Sequence, residues 1–182
     1  MIKDNSNKNV REITLAGGCF WGTEMYFKAI RGVVKTEVGY ANGKTQNPTY
    51  EDVCHHNTGH AEVVKVTYDN QVISLPFLLG MYFEVIDPVA VNRQGNDVGI
   101  QYRTGIYYSD PADKAVILES VQALRMEYGV PLAIEVLPLE NYSAAEVYHQ
   151  EYLKKNPGGY CHIGNREFKK AAVARDPSIN NE

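Results

Sequence analysis

The feature that most constrains the fold is the run Gly17-Gly18-Cys19-Phe20-Trp21-Gly22. An apolar segment over 13–16 precedes it and a helix-compatible segment over 23–30 follows, so the cysteine lies at a predicted strand-to-helix junction. Backbone N–H groups at a helix N-terminus favour the thiolate, the nucleophilic form of cysteine. Glycines on both sides would admit a substrate, and the two aromatics would wall a small apolar pocket. The run therefore predicts a reactive cysteine rather than a buried structural one.

Strands and helices alternate along the chain and predict a mixed α/β (α+β) fold. The segments that favour strands are 12–16, 33–40, 61–68, 102–108 and 133–137. Those that favour helices are 23–30, 74–86, 110–129 and 143–155, with a long polar loop over 87–101. The expected architecture is a two-layer sandwich of helices against a small mixed sheet. Residues 1–182 are predicted to form a single domain with frayed ends over 1–9 and 175–182.

Composition excludes several classes of function. The 182 residues are 44% hydrophobic and 22% charged, with a net charge of −4, which gives no reason to expect binding to nucleic acid or to an anionic membrane. No segment reaches the length of a membrane span, and the polar N-terminus lacks a signal-peptide core. The three cysteines are few and odd in number, which favours a reducing compartment, and we expect a cytoplasmic protein.

Polar residues that are out of place in a plain core occur in three further segments, 49–62, 93–103 and 149–161. Glu62 opens a strand and points either to solvent or into a pocket, where desolvation would raise its pKa. Tyr50 and Tyr102 suit either a core or a site that needs hydroxyl donors. Asp97 suits a loop turn. Cys161 follows Gly158-Gly159-Tyr160 and is either a spare thiol or a second thiol on a mobile tail.

The run over 17–22 also resembles the signature of methionine sulfoxide reductase A, the family that reduces the S epimer of methionine sulfoxide. The three later segments extend the resemblance from about Ile13 to about Cys161. It implies a ferredoxin-like α/β core wrapped by long loops, with no bound cofactor or metal. It further implies a monomer that acts on oxidised proteins or peptides and free methionine sulfoxide, with thioredoxin as the external dithiol reductant.

The resemblance also implies roles at the reacting centre. Cys19 would attack the sulfoxide sulfur and become a sulfenic acid. Glu62 would protonate the departing oxygen, to which Tyr50 and Tyr102 would donate hydrogen bonds. Asp97 would order the pocket or its water.

Three residues have other implied roles. Phe20 and Trp21 would bind the methyl group of the substrate and fix which epimer presents its sulfur. Cys161 would resolve the sulfenic acid as a Cys19–Cys161 disulfide. Many relatives have a further cysteine beyond the resolving one, but this chain has none after Cys161.

The segment Cys54-His55-His56-Asn57 departs from the small Ser/Thr-Gly pair found in many relatives, and we expect Cys54 to be a structural thiol. A zinc site at Cys54, His55, His56 and His60 lacks the usual paired spacing. Two competing functions remain. One is a non-catalytic module that binds oxidised methionine through Phe20 and Trp21. The other is a Cys–His hydrolase with His60 or His149 as base, for which no orienting residue is evident.

Overall fold

The fold is centred on a six-stranded sheet in the computed structural model, which describes residues 9–179. In chain order its strands are β1 (Val10–Gly17), β2 (Val33–Ala41), β3 (Ala61–Asp69), β6 (Thr104–Tyr108), β7 (Glu135–Pro138) and β8 (Ser143–Ala144). A separate hairpin is formed by β4 (Arg93–Gln94) and β5 (Asp97–Val98). Across the large sheet the order is β7-β6-β1-β3-β2-β8, and only the β6–β7 pair is parallel.

Helices cover one face of this sheet and continue into the C-terminal segment. They are α1 (Phe20–Lys28), α2 (Tyr50–His55), α3 (Leu75–Phe83), α4 (Asp113–Tyr128), α5 (Tyr152–Lys155) and α6 (Asn165–Val173). Short 3₁₀ turns occupy Ile100–Tyr102 and Val147–His149. None of the helices within residues 9–179 is both long and apolar enough to cross a membrane.

The central strands and helices confirm the predicted mixed α/β class with a ferredoxin-like core. The chain runs β1-α1-β2-β3-α3-β6, and the four strands lie side by side as β6-β1-β3-β2, all antiparallel. This is the β-α-β-β-α-β arrangement. It brings the end of β1 and the start of β3 to the same edge of the helix-covered face.

Alternation along the strands determines which side chains meet the helices. Ile13 and Leu15 of β1, with Val64 and Val66 of β3, are fully buried in the main core, which α1 and α3 cover. Alternate residues such as Ala16 and Val63 form a smaller cluster on the opposite face. Glu62 has the same parity as Val64 and Val66, so its carboxyl points beneath the N-terminus of α1.

The prediction of a helix over 143–155 is wrong. The segment instead contains β8, a 3₁₀ turn and the short α5, separated by Glu151 with a φ of 51°. Its backbone is held by distant partners rather than by its own i→i−4 bonds. The side chain of Gln150 accepts from Val38 N and donates to Val38 O, and Glu24 accepts from Glu151 N.

Other boundaries also differ from the prediction. The strand expected over 102–108 begins at Thr104, because residues 100–102 form a 3₁₀ turn. The loop expected over 87–101 contains the β4–β5 hairpin. The helices α2 and α6 were not predicted. Ser74 is the N-cap residue of α3, since its side chain accepts from Phe77 N.

The segment 175–182, expected to fray, is ordered at Asp176. Its carboxylate is 4% exposed and accepts hydrogen bonds from the backbone N–H and hydroxyl of both Ser74 and Ser178. Burial alone would raise the pKa of Asp176, but these bonds lower it below its usual value. The carboxylate therefore ties the C-terminal segment to the start of α3. Residues 1–8 of the N-terminal segment expected to fray and residues 180–182 of the C-terminal one lie outside the described residues.

Replacing Asp176 with Ala should lower the free energy of unfolding by about 2 kcal/mol, because buried donors lose a charged acceptor. Urea denaturation measures this loss. The exposed Glu119, replaced by Ala, is the control and should change stability little. Equal stability of the two variants would contradict a stabilising role for the hydrogen bonds of Asp176.

Candidate functional site

The site is built around the turn that joins β1 to α1. Gly18 has a φ of 84°, and a side chain there would lie 2.8 Å from the Cβ of Gln94, so the turn requires glycine. Cys19 follows as the N-cap residue of α1 and is 8% exposed. The predicted strand-to-helix junction is therefore present, with the thiol at the helix N-terminus.

Opposing effects act on the thiol of Cys19. Burial is the main cause that raises its pKa, and the charge of Glu62 adds to the effect. Hydrogen bonds from the backbone N–H groups of Trp21 and Gly22 lower the pKa but do not compensate. The helix terminus favours the thiolate as expected. Burial outweighs it, so at rest the residue is a protonated thiol.

Glu62 supplies a buried carboxyl next to this thiol. It is 2% exposed, and its Oε2 accepts a hydrogen bond from Phe20 N at 3.0 Å. Burial raises the pKa of Glu62 to about 8; the Phe20 N–H opposes this rise and the charge of Asp97 adds to it. Near neutral pH the carboxyl is therefore mostly protonated and can donate a proton, as desolvation in a pocket predicts.

Two tyrosines approach the same carboxyl from separate elements. Tyr50 is the first residue of α2, after the capping box formed by Thr49 and Asp52. Tyr102 ends the 3₁₀ turn that precedes β6. Burial raises the pKa of both hydroxyls, and the charge of Glu62 raises both further. Both tyrosines thus remain neutral hydrogen-bond donors beside Glu62.

Asp97 lies on β5 and joins the site to the C-terminal tail. Its charge contributes to the raised pKa of Cys19, Glu62 and Tyr102, which places it close to all three. Its Oδ2 accepts a hydrogen bond from the hydroxyl of Tyr160 at 3.0 Å. Asp97 is therefore more than a turn former, since it contacts the residue that precedes Cys161.

The aromatic wall has a buried and a half-buried part. Phe20 is buried between the rings of Tyr40 and His149, with centroid distances of 5.7 and 5.1 Å. Trp21 stacks on Tyr152 at 3.7 Å, and its Nε1 donates to Nδ1 of His149 at 2.9 Å. These contacts fix the orientation of the indole against Tyr152 and His149.

His149 and Tyr152 hold Trp21, a role that the sequence analysis gave to neither, since it named His149 only as the base of a competing hydrolase. Burial lowers the pKa of His149, so its imidazole is neutral and can accept from the indole of Trp21. Both residues belong to the segment 149–153 that contributed to the family resemblance. Their signal was their spacing in that segment, but only the structure identifies Trp21 as the side chain that they hold.

Cys161 reaches the site from the tail beyond α5. A methyl group on Gly22 would lie 2.9 Å from the Sγ of Cys161, so this sulfur packs directly on the first turn of α1. The backbone N–H of the same Gly22 faces the sulfur of Cys19. Cys19, Cys54 and Cys161 all carry free thiols. The two outer cysteines thus flank one glycine in the reduced state.

The remaining cysteine and the nearby histidines have other contacts. Cys54 is half-buried on α2, one turn after Tyr50. Both ring nitrogens of His60 bind the preceding loop, through Gly43 N and Thr45 O, so this residue is not a base for Cys19. His56 pairs with Asp52 on the surface. Within residues 9–179, no group of three or more His, Cys, Asp or Glu side chains is arranged to hold a metal ion.

Comparison with known proteins identifies relatives that match most of this chain, including the residues of the site. The family model described as peptide methionine sulfoxide reductase matches residues 11–179. The chain is 58% identical to peptide methionine sulfoxide reductase MsrA of Lachnoclostridium phytofermentans over 164 residues, which cover 90% of this chain and 99% of the relative.

Solved structures of a yeast protein are also similar. Reduced Mxr1 of Saccharomyces cerevisiae matches with a TM-score of 0.79 and 40% identity, covering 84% of this chain and 89% of the other. The same yeast protein in complex with Trx2 matches with a TM-score of 0.54 and 28% identity, over 80% and 86% of the two chains.

The buried carboxyl of Glu62 predicts a pH-dependent stability. Its folded pKa of about 8 exceeds the ordinary 4.5, so the stability that the protonated carboxyl contributes is complete below pH 4.5 and is lost as pH rises to 8. Glu62→Gln removes this dependence. Relative to the parent, the variant should gain about 3.5 kcal/mol in free energy of unfolding between pH 5 and 8.

Urea denaturation at several pH values measures this gain. Glu119→Gln, on the exposed face of α4, is the matched control and should show no such trend. Parallel pH profiles for the parent and Glu62→Gln would contradict a protonated buried carboxyl.

Proposed function

The chain belongs to the peptide methionine sulfoxide reductase family of the MsrA type, and we propose that it reduces the S epimer of methionine sulfoxide with Cys19 as nucleophile. The observation that carries this proposal is the hydrogen bond from Phe20 N to Glu62. It places a buried, protonated carboxyl beside the Cys19 thiol at an aromatic wall. Sulfoxide reduction requires these three elements: a thiol, a proton donor and an apolar subsite.

In the first step the sulfur of Cys19 attacks the sulfoxide sulfur while Glu62 protonates the oxygen. Tyr50 and Tyr102 donate hydrogen bonds to the oxygen as charge develops there. The oxygen is transferred with its proton to Cys19, methionine leaves, and Cys19 becomes a sulfenic acid. The thiol hydrogen of Cys19 replaces the proton given by Glu62, so one thiol and one sulfoxide yield one sulfenic acid and one methionine.

Selection of one epimer follows from dissimilar subsites on the two sides of Cys19. The methyl group would contact the aromatic carbon of Phe20 and Trp21, and the oxygen would face Glu62 and the two tyrosines. With its sulfur facing the thiol, the opposite epimer would exchange the positions of the methyl group and the oxygen and place its oxygen on the aromatic wall. Leaving a polar oxygen against apolar carbon without a hydrogen bond is costly.

In the second step Cys161 attacks the sulfur of oxidised Cys19, forming a disulfide and releasing water. Its position beside Gly22 supports this role. A dithiol reductant then regenerates both thiols. The yeast relative has been crystallised with Trx2, and we propose a thioredoxin as the reductant here.

The proposed setting is repair of oxidised methionine in a reducing cytoplasm, by an enzyme that acts as a monomer. The substrates would be oxidised proteins and peptides as well as free methionine sulfoxide. The small number of cysteines, three in 182 residues, supports such a compartment.

The decisive experiment adds one equivalent of a peptide containing the S epimer to the reduced protein. We expect one equivalent of methionine peptide, the loss of two thiols, and a Cys19–Cys161 disulfide in the mass map, with Cys54 still free. The R epimer is the control and should leave all three thiols intact. Unchanged thiols with the S epimer, or a disulfide that includes Cys54, would overturn the proposed cycle.

Glu62→Gln should slow the first step by about 100-fold or more, which is the contribution of a positioned acid. The rate of methionine formation in a single turnover measures it. In the parent this rate should fall as pH rises through about 8, where Glu62 loses its proton. The variant should lack that decline. A parent rate that stays constant to pH 9, or an unchanged rate in the variant, would remove Glu62 from the first step.

A further inference from the structure

His162, the residue after Cys161, carries a ring nitrogen that the structure leaves without a partner. Its Nε2 lies 3.1 Å from the carbonyl oxygen of Gly17, which can only accept, so Nε2 bears the hydrogen. In the neutral ring Nδ1 then has a free lone pair. That atom is buried and has no hydrogen-bond partner. A buried acceptor without a partner is uncommon and calls for an explanation.

The unpartnered nitrogen and the sulfur of Cys161 both pack over Gly22. A methyl group on Gly22 would be 3.3 Å from Nδ1 of His162 and 2.9 Å from Sγ of Cys161. The two atoms are therefore no more than about 6.2 Å apart, over the glycine whose N–H faces Cys19. The thiol lies 3.4 Å from the carbonyl oxygen of Ile163, a weak contact that its hydrogen must leave to reach Nδ1.

Cys161 needs such a partner to react. Burial raises the pKa of its thiol, so little thiolate is present at neutral pH, yet only the thiolate attacks a sulfenic acid efficiently. We propose that His162 is the general base for Cys161 in the disulfide-forming step. The inference deepens the proposed function and rests on Cys161 being the resolving thiol.

The proposed step balances in atoms and electrons. Nδ1 of His162 takes the thiol proton as the sulfur of Cys161 forms a bond to the sulfur of Cys19. The S–O bond of the Cys19 sulfenic acid breaks, and the leaving hydroxide takes up the proton that His162 accepted and departs as water, which restores the neutral imidazole. Cys161 is oxidised and Cys19 is reduced, with no other reagent. The bond from Nε2 to Gly17 stays in place and keeps the ring oriented.

The surroundings of His162 suit a neutral base that is briefly protonated. Burial lowers its pKa, so the ring is neutral at physiological pH, while the charge of Asp97 and the bond to Gly17 oppose this effect and stabilise the cation. His162 also lines a cavity of about 300 Å³. The carboxylates of Glu84, Asp87 and Glu167 line the same cavity. Of the charged groups, Asp97 is the one that acts on the pKa of His162, and the thiol of Cys161 lies over the same Gly22.

The test compares His162→Gln with the parent. Glutamine retains a donor for the Gly17 carbonyl but has no basic nitrogen. After one equivalent of the S-epimer peptide, the variant should form methionine at the parent rate. Its disulfide should form at least about 100-fold more slowly than in the parent, so that a sulfenic acid accumulates and reacts with dimedone. Rapid quenching followed by intact mass measures both steps.

The pH dependence of the disulfide step separates a base from a structural residue. In the parent the rate should be constant above about pH 6.5, where His162 is neutral. In His162→Gln it should rise about tenfold per pH unit, as the thiol of Cys161 ionises. A parent rate that itself rises tenfold per unit from pH 6.5 to 9 would overturn the proposal without use of a variant. Equal rates and equal profiles for the two proteins would overturn it as well.

Cys161→Ser distinguishes failure of this inference from failure of the proposed function. That variant should form methionine and stop at the sulfenic acid. If it still forms an intramolecular disulfide, the resolving role of Cys161 fails. If it stops while His162→Gln forms the disulfide normally, the cycle stands and only the base is wrong.

Discussion

The site depends on one buried hydrogen bond, from the N–H of Phe20 to the carboxyl of Glu62. The bond satisfies a free N–H in the first turn of α1 and joins that turn to β3. It therefore fixes the distance between thiol and acid while both are removed from water. Removal from water also raises the pKa of both groups. A looser or wetter junction would leave Glu62 ionised and unable to donate a proton.

The C-terminal segment encloses this junction through side chains rather than through regular structure. The carboxylate of Glu146 accepts hydrogen bonds from Tyr40 Oη and Tyr50 N. The side-chain amide of Gln150 forms hydrogen bonds with both the N–H and the carbonyl oxygen of Val38. These contacts hold the segment up to α5 on β2 and α2. Beyond α5 the described contacts with the reacting centre are fewer: Tyr160 with Asp97, the packing of Cys161 on Gly22, and His162 with the carbonyl oxygen of Gly17. The division suits the proposed cycle, in which the first part shapes the substrate pocket and the second brings a thiol to Cys19.

The local sequence pattern was sufficient to predict the β1–α1 junction and the central strands. The alternation of apolar and polar residues and the glycines of the turn can each be recognised from a few consecutive residues. It could not distinguish a helix over 143–155 from the irregular path observed, since the deciding partners, Val38 and Glu24, are more than 100 residues away. The candidate site residues came mainly from resemblance to a family. The roles inferred for His149 and His162 depend on single ring nitrogens and on what faces them, which no sequence pattern contains.

The proton balance of the first step explains why a thiol with a raised pKa is no disadvantage here. Reduction of one sulfoxide by one thiol needs one proton on the oxygen and releases one from the sulfur. A resting site that holds both protons, on Cys19 and on Glu62, already contains what the step requires. Because Glu62 is the more acidic of the two groups, it gives its proton to the oxygen first, and the proton of Cys19 replaces it. The same carboxyl thus serves as acid for the substrate and as acceptor for the thiol. This is why its burial beside Cys19, rather than a permanently ionised thiolate, is the condition for the chemistry.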